Sequence, residues 1–378
     1  MKITHIHIER FRGFQNEDFE VGSLLTAIAG QNGTQKSTLL GIITQTFTLK
    51  TEDSMRVEKP LCGGSYISAF KDKFRLSPTF DKPKGHEWTI SFDAGMDDFT
   101  VESIKRTGDP NVRFWKKGAR QEGDGYISFP TIFLSLKRLV PVAEEAKIIT
   151  DDTLLTQEEL NEFKQLHNKI LIAPTPISSA TTITSKNKQS IGVSTELYDW
   201  NQNSMGQDNL GKIILALFSF KRLHDKYPRQ YKGGILAIDE MDATMYPASQ
   251  VELLKVLRKY ASKLNLQILF TTHSMSLLKA MDDLVQEVTK KEETANQAKI
   301  LYLKKVDDKI AIKQGVNFKG IQLDLNVVAE GNNRKKNRIT AYTEDKENIL
   351  FVKAILKSKA FVLDFVDVTL PCSTLMEL

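Results

Sequence analysis

The sequence predicts an α/β protein built on a mainly parallel sheet covered on both faces. Apolar runs without polar alternation, at residues 24–29, 131–136, 235–238 and 267–270, read as strands buried on both sides. Between them lie stretches with helical apolar spacing, at 37–47, 155–172 and onward from Asp208. Strands that alternate with helices in this way make parallel pairs.

Taken in order, the opening residues place Ile3, Ile6 and Ile8 among polar neighbours, a half-buried strand that ends at the turn Phe11-Arg12-Gly13-Phe14. The run 24–29 then meets Gly30, Asn32 and Gly33 and passes into a Ser/Thr-capped helix. Residues 48–127 are mixed, with Gly/Ser and Pro/Gly clusters and β-like runs at 86–92 and 98–104, and are expected to form a β-rich antiparallel insertion. Residues 174–194, rich in Ser, Thr, Lys and Asn with two prolines, are expected to be a solvent-facing loop. The charged run 290–293 reads as a solvated helix face.

At 378 residues the chain is long enough for two domains, or one with insertions. Its 41% hydrophobic and 26% charged residues exclude a disordered, collagen-like or disulfide-stapled chain. Cys62 and Cys372 make no CxxC spacing, so a reduced, cytoplasmic chain without structural zinc is expected. No window approaches about 18 apolar residues, and the first residues lack a signal-peptide core, so no membrane partner is expected. The net charge of +5, from 52 basic against 47 acidic residues, permits a nucleic-acid partner without requiring one.

Gly30-Gln31-Asn32-Gly33-Thr34-Gln35-Lys36-Ser37-Thr38 stands where a strand delivers a turn into a helix. Backbone N–H groups and the helix N-terminus there can cradle phosphate, Lys36 can reach β- and γ-phosphates, and the Ser37 hydroxyl can ligate Mg²⁺. Gln35 stands where the phosphate-loop pattern has glycine, so its side chain has to project away from the nucleotide. Alone, the segment is open to two readings, a nucleotide loop or a decorated strand–helix turn. The run 235–238 ends in Asp239-Glu240, which puts Asp239 at the carboxyl edge of the sheet, able to hold Mg²⁺, and Glu240 where it can orient or deprotonate a water. An apolar strand with a solvated acidic turn is the other reading of that segment. The strand at 268–272 ends at His273, able to hydrogen-bond a γ-phosphate or the attacking water, although most lone histidines are surface or satisfied core residues.

Together with Asn203-Ser204-Met205-Gly206-Gln207 and Asp239-Glu240-Met241-Asp242, these segments resemble, in order and spacing, the Walker A, signature, Walker B with D-loop, and switch histidine of ABC-type ATPase heads. Residues 8–14, Ile-Glu-Arg-Phe-Arg-Gly-Phe, resemble the first strand of the SMC-like branch, and residues 239–247 are similar to OLD-family (overcoming lysogenization defect) members. The resemblance covers roughly residues 1–320 and implies a fold: an ABC-type P-loop ATPase head with a mainly parallel sheet plus a β-rich antiparallel part. It also implies ATP and Mg²⁺, with Asn32, Gly33, Thr34, Gln35, Lys36, Ser37 and Thr38 around the phosphates, Ser37 and Asp239 on the metal, and Glu240 and His273 catalytic. Ser204 and Gly206 would cap the γ-phosphate of a second copy in a head dimer, Asp242 would sit at the dimer seam, and Arg12 would approach the nucleotide. An N-cap is the alternative reading of Ser204. Gln35 for glycine, Tyr246 where histidine is usual before proline, and a glutamine loop that cannot be assigned (Gln45 is too close to the phosphate loop) imply slow hydrolysis.

After a basic linker, 331–338, residues 339–378 read as strand, acidic turn, helix, strand. This resembles the beginning of a Toprim domain of OLD nucleases, with Glu344 in the metal-ligand position. The Asp-x-Asp cluster such nucleases also need is missing, which leaves either a chain that continues beyond Leu378, the reading preferred here, or a degenerate domain with a structural role. Two functions follow. One is an ATPase that regulates a Toprim nuclease in anti-phage defence, acting on nucleic acid with a possible partner defence protein. The other is a non-hydrolysing, nucleotide-gated clamp on a protein or nucleic acid, which Gln35 favours. The basic groups at 334–338, and Arg113, Lys116 and Lys117 with Trp115, are candidate phosphate contacts, but they read first as solvated linker and loop.

Overall fold

The computed structural model describes residues 1–66, 70–93, 95–105, 112–118, 124–140, 148–151, 154–173, 175–185, 189–329, 339–357, 360 and 363–369. The chain divides into two compact units, Met1–Ile321 and Gln322–Leu378.

In the first unit, β1 (Ile3–Phe11) and β2 (Phe14–Glu20) form a hairpin that pairs Phe11 with Phe14 across Arg12-Gly13. The apolar positions of β1 are out of phase between Ile3 and Ile6 because its register against a later strand shifts between Ile3 and His5. β3 (Leu25–Gly30) leads through the glycine loop into α1 (Lys36–Thr44), whose Leu39, Leu40, Ile42 and Ile43 are fully buried. A helix buried on all sides has no polar face to read, which is why its apolar pattern looks continuous.

After β4 (Phe47–Thr48) and the short α2 (Phe70–Lys73) come β5 (Glu87–Phe92), β6 (Phe99–Lys105) and β7 (Val112–Lys116). These three strands are not an insertion set apart. They continue the opening hairpin in one antiparallel sheet of order β2-β1-β5-β6-β7, so the β-rich part begins at Ile3. Phe11, the last residue of β1, gathers an aromatic cluster against the sheet, with its ring centroid 4.6 Å from His86, 5.3 Å from Phe74, 5.5 Å from Phe114 and 5.7 Å from Trp88. Lys117, read as a candidate phosphate contact, is paired with Glu87 at 2.5 Å.

β8 (Ile127–Ser128) pairs with β4, and β9 (Thr131–Leu134) joins the main sheet. Next come β10 (Ile149–Asp151), α3 (Gln157–Leu171), β11 (Ser179–Thr184), β12 (Gln189–Ser194) and α4 (Met205–Lys226). The expectation of a loop over 174–194 is wrong here: β11 and β12 are antiparallel and form a sheet with β10. Thr181-Thr182-Ile183-Thr184 is β-branched throughout, a strand signal hidden by its polarity, and Ile183, Ile191 and Val193 are buried.

The main sheet is completed by β13 (Gly234–Ile238), β14 (Leu266–Thr272), β15 (Ala298–Val306) and β16 (Lys309–Lys313), with α5 (Pro247–Lys263) and α6 (Met275–Val288) as crossovers. Its order is β16-β15-β3-β14-β13-β9, parallel except for β16. All seven residues of β14 are buried, as a central strand covered on both faces requires. Residues 290–293 are exposed, in a turn and a single 3-10 turn instead of a helix face.

The division between the units falls inside α7 (Phe318–Ala329). The second unit holds β17 (Ile339–Thr343), α8 (Lys346–Leu356) and β18 (Leu363–Thr369), a parallel β-α-β unit with Ile339 opposite Leu363. The basic linker 331–338 and residues 370–378 lie outside the described residues. Among the described residues no helix is long and apolar enough to cross a membrane.

Candidate functional site

Three parallel strands, β3, β14 and β13, lie side by side, so their carboxyl ends bring Gly30, His273 and Asp239 to one edge, where open α/β sheets bind ligands. At the end of β3, Gly30 has φ 151, and a Cβ there would stand 2.4 Å from the Leu303 carbonyl oxygen and 2.8 Å from Thr34 Oγ1. Only glycine passes between those atoms. Asn32 and Gly33 form the exposed tip, with Gly33 at φ 80, while Thr34 is buried and donates through Oγ1 to the Gln31 carbonyl at 2.8 Å. Lys36 Nζ donates to the carbonyls of Gly30 at 3.0 Å and Gln31 at 2.8 Å, so the ammonium is held within the loop.

Gln35 adopts φ 62, ψ 33, the left-handed conformation that glycine supplies in the phosphate-loop pattern. Its amide is turned away from the loop, over the β1–β2 turn: a Cβ on Gly13 would lie 2.9 Å from Gln35 Nε2. The loop therefore closes with glutamine in place, at a conformational cost of about 1 kcal/mol.

Asp239 is buried at the end of β13, and its Oδ1 accepts from Ser37 Oγ at 2.8 Å and from Thr271 Oγ1 at 2.7 Å. Thr271 Oγ1 in turn accepts from the Glu240 N–H at 2.6 Å. Burial lowers the Lys36 pKa, against the opposing pull of Glu240, Asp239 and Asp242. The same cluster surrounds His273, where burial and then Lys36 lower the imidazole pKa against Asp242, Glu240 and Asp239, favouring the neutral ring. Both carboxylate oxygens of Asp242 accept from the His273 backbone N–H at 3.4 Å.

A hydroxyl and a carboxylate in contact, where a glycine-rich loop enters a helix, form a hard-oxygen pair suited to Mg²⁺, which prefers one or two protein oxygens and completes its shell with phosphate and water. Among the described residues no group of three or more His, Cys, Asp or Glu side chains is placed to cage a metal. Glu344 stands exposed in the turn before α8, in the second unit.

Arg12 lies beside the phosphate-loop helix, Nη1 3.4 Å from Thr38 Oγ1, but its main partner is Asp81, gripped through Nε at 3.0 Å and Nη2 at 2.9 Å. Burial would raise the Asp81 pKa; Arg12, the Ser77 N–H and His86 outweigh it and hold the carboxyl at about 2. Ser204 is the exposed N-cap of α4, in a capping box with Gln207: its Oγ accepts the Gln207 N–H at 3.3 Å. Gly206 is buried, and a Cβ on it would lie 2.6 Å from the Thr244 carbonyl oxygen. Arg138, Asn209, Thr271 and Asp81 stand around the site without having been singled out from sequence, because each works through partners far along the chain.

A profile of the AAA ATPase domain family matches residues 134–278, which include Ser204, Asp239 and His273 but not the phosphate loop. Among solved structures, an SMC head bound to the C-terminal winged-helix domain of ScpA aligns with a TM-score of 0.50 and 14% identity, over 85% of this chain and 100% of that one. The SMC head domain from Thermotoga maritima aligns at 0.46 and 14% identity, over 84% and 100%, and a recombination mediator protein RecF structure at 0.41 and 12%, over 83% and 98%. No curated protein matches the chain. Residues 134–278 are thus similar to the AAA ATPase domain family, and the fold of the chain is similar to that of an SMC head.

Proposed function

We propose that the chain is an ATP-binding and ATP-hydrolysing head that pairs with a second copy around nucleotide. The observation that carries this is the Ser37–Asp239 contact, 2.8 Å, between the phosphate-loop helix and a buried strand-end carboxylate, with Lys36 and His273 at the same edge. The N–H groups of residues 32–38 and the α1 N-terminus bind the phosphates, and Lys36 leaves the Gly30 and Gln31 carbonyls to meet the β- and γ-oxygens. Mg²⁺, with Ser37 and Asp239 as its protein oxygens, supplies charge neutralisation at the phosphates. Glu240 orients and deprotonates the attacking water, and neutral His273 hydrogen-bonds the γ-phosphate or that water. Arg12 flanks the phosphates beside Thr38, and Ser204 and Gly206 of a second copy close over them.

The motif resemblance extends this reading to the OLD family: a Toprim-type nuclease or other effector, with Glu344 as one metal ligand, is governed by the head and acts on foreign nucleic acid in the cytoplasm. The partner named in the SMC-head structure, a winged-helix domain, supports a protein partner for the head. Phosphate release measured for the unmodified chain, Lys36→Ala and Asp239→Asn tests the head: both variants are expected at background. Release at the unmodified rate by either overturns the reading. DNA cleavage in Mn²⁺ that disappears in Glu344→Ala tests the effector.

A further inference from the structure

The turn that carries Glu240 is strained at both ends. Glu240 has φ 50 and Thr244 φ 68, left-handed conformations that are uncommon for any non-glycine residue and out of place for a β-branched threonine. Such conformations persist only where neighbours over-determine them. Here the neighbours are two buried side chains from elsewhere in the sequence. Arg138, 2% exposed, spends every branch of its guanidinium: Nε donates to Asn209 Oδ1 at 2.7 Å, Nη1 to the Leu134 and Ser135 carbonyls at 3.2 and 3.1 Å, and Nη2 to the Glu240 carbonyl at 2.8 Å. Asn209, fully buried on the second turn of α4, donates through Nδ2 to the Ala243 carbonyl at 2.9 Å. Gly206, one turn earlier on α4, rests its bare Cα against the Thr244 carbonyl. On the far side Gln250 donates to the Met245 carbonyl at 2.7 Å and bonds Ser274, next to His273.

We infer that Arg138 and Asn209 are positioning residues that couple the exposed start of α4, Ser204 and Met205, to Glu240. Burial pushes the Arg138 pKa down to about 10, so at neutral pH the guanidinium stays charged inside the fold, facing the Asp239, Glu240 and Asp242 carboxylates. Any shift of α4 when its start is engaged moves Asn209, and with it the guanidinium that holds the Glu240 carbonyl. The first turn of α4 and the 240–244 turn thus move as one body, and Glu240 is aimed only when that body is seated. Lysine cannot replace this arginine, because one ammonium cannot span the four acceptors of a planar fork.

The inference rests on the nucleotide reading above, and the experiment separates the two. ATP binding by calorimetry and turnover at saturating ATP are measured for the full chain, Arg138→Lys and Asn209→Asp. Both variants are expected to bind ATP within about threefold of the unmodified chain and to lose at least about tenfold in kcat. A variant that binds and turns over like the unmodified chain, or that loses binding in step with kcat, overturns the coupling. An unmodified chain that binds no ATP overturns the nucleotide reading instead. Because both residues are buried, a second measurement needs no change to either: amide hydrogen exchange of Glu240→Gln with and without ATP. Residues 205–209 and 240–245 are expected to gain protection together, and protection of one segment alone contradicts the coupling.

Discussion

Ser37 and Asp239, 202 positions apart in the chain, meet at 2.8 Å, Oγ donating to Oδ1. The contact joins the first turn of α1 to the end of β13, and it forms because β3 and β13 flank β14 in one parallel sheet. A hydroxyl from the start of a helix and a carboxylate from a strand end make a small oxygen cluster that neither segment carries alone.

The substitution of glutamine for glycine in the phosphate loop has a conformational consequence. Gln35 holds a left-handed backbone, and its buried Oε1 has no hydrogen-bond partner among the described residues, so its side chain contributes little polar stabilisation. Gln35→Ala keeps the unfavourable φ and removes the packing over Gly13; Gln35→Gly removes the strain. Thermal unfolding is expected to show the alanine variant about 1 kcal/mol less stable than the glycine variant. Equal stabilities would place the strain elsewhere.

Gly206 is expected to be intolerant of a methyl group for a reason internal to one chain. With the Thr244 carbonyl oxygen 2.6 Å from an added Cβ, Gly206→Ala has to push α4 away from the 240–244 turn, at about 1–3 kcal/mol. Denaturant unfolding measures this directly, and a variant as stable as the parent would mean that α4 and the turn separate freely.

Asp81 links the antiparallel sheet to the phosphate-loop helix through Arg12 and is also bonded to His86 Nε2 at 3.1 Å. Burial opposes its ionisation, but Arg12, the Ser77 N–H and His86 hold the folded carboxyl at about 2, below an unfolded value of about 4. A depressed folded pKa stabilises the fold fully above the unfolded value, and that contribution fades as pH falls from about 4 toward 2. It amounts to about 2 kcal/mol. Acid unfolding curves of the parent are expected to fall more steeply over that window than those of Asp81→Asn, which should already be less stable at pH 7. Parallel curves would contradict the assignment.

How much of this was legible in the sequence follows from distance along the chain. The phosphate loop is contiguous, so strand, glycines, lysine and hydroxyl are read in one pass, and the same holds for Asp239-Glu240 and His273 at the ends of buried apolar strands. Arg138 and Thr271 were not legible, since their partners lie 102 and 32 positions away and nothing local distinguishes a buried arginine from a surface one. The β11–β12 hairpin was hidden by composition: threonine is polar by type and β-forming by shape, and shape prevailed once Ile183, Ile191 and Val193 found a core. The strands after residue 48 looked like an insertion because sequence order conceals that β5 pairs with β1.

The central claim is that nucleotide bound at Lys36, Ser37 and Asp239 is closed over by Ser204 of a second copy. Gel filtration of Glu240→Gln with and without Mg²⁺ and ATP tests it most directly, because that variant keeps the phosphate loop and the metal oxygens while removing the residue assigned to water activation. ATP is expected to shift the chain from its nucleotide-free elution position to one of about twice the mass, and Ser204→Arg in the same background should prevent the shift. An elution position unchanged by ATP, in a sample that calorimetry finds saturated with nucleotide, would contradict the account.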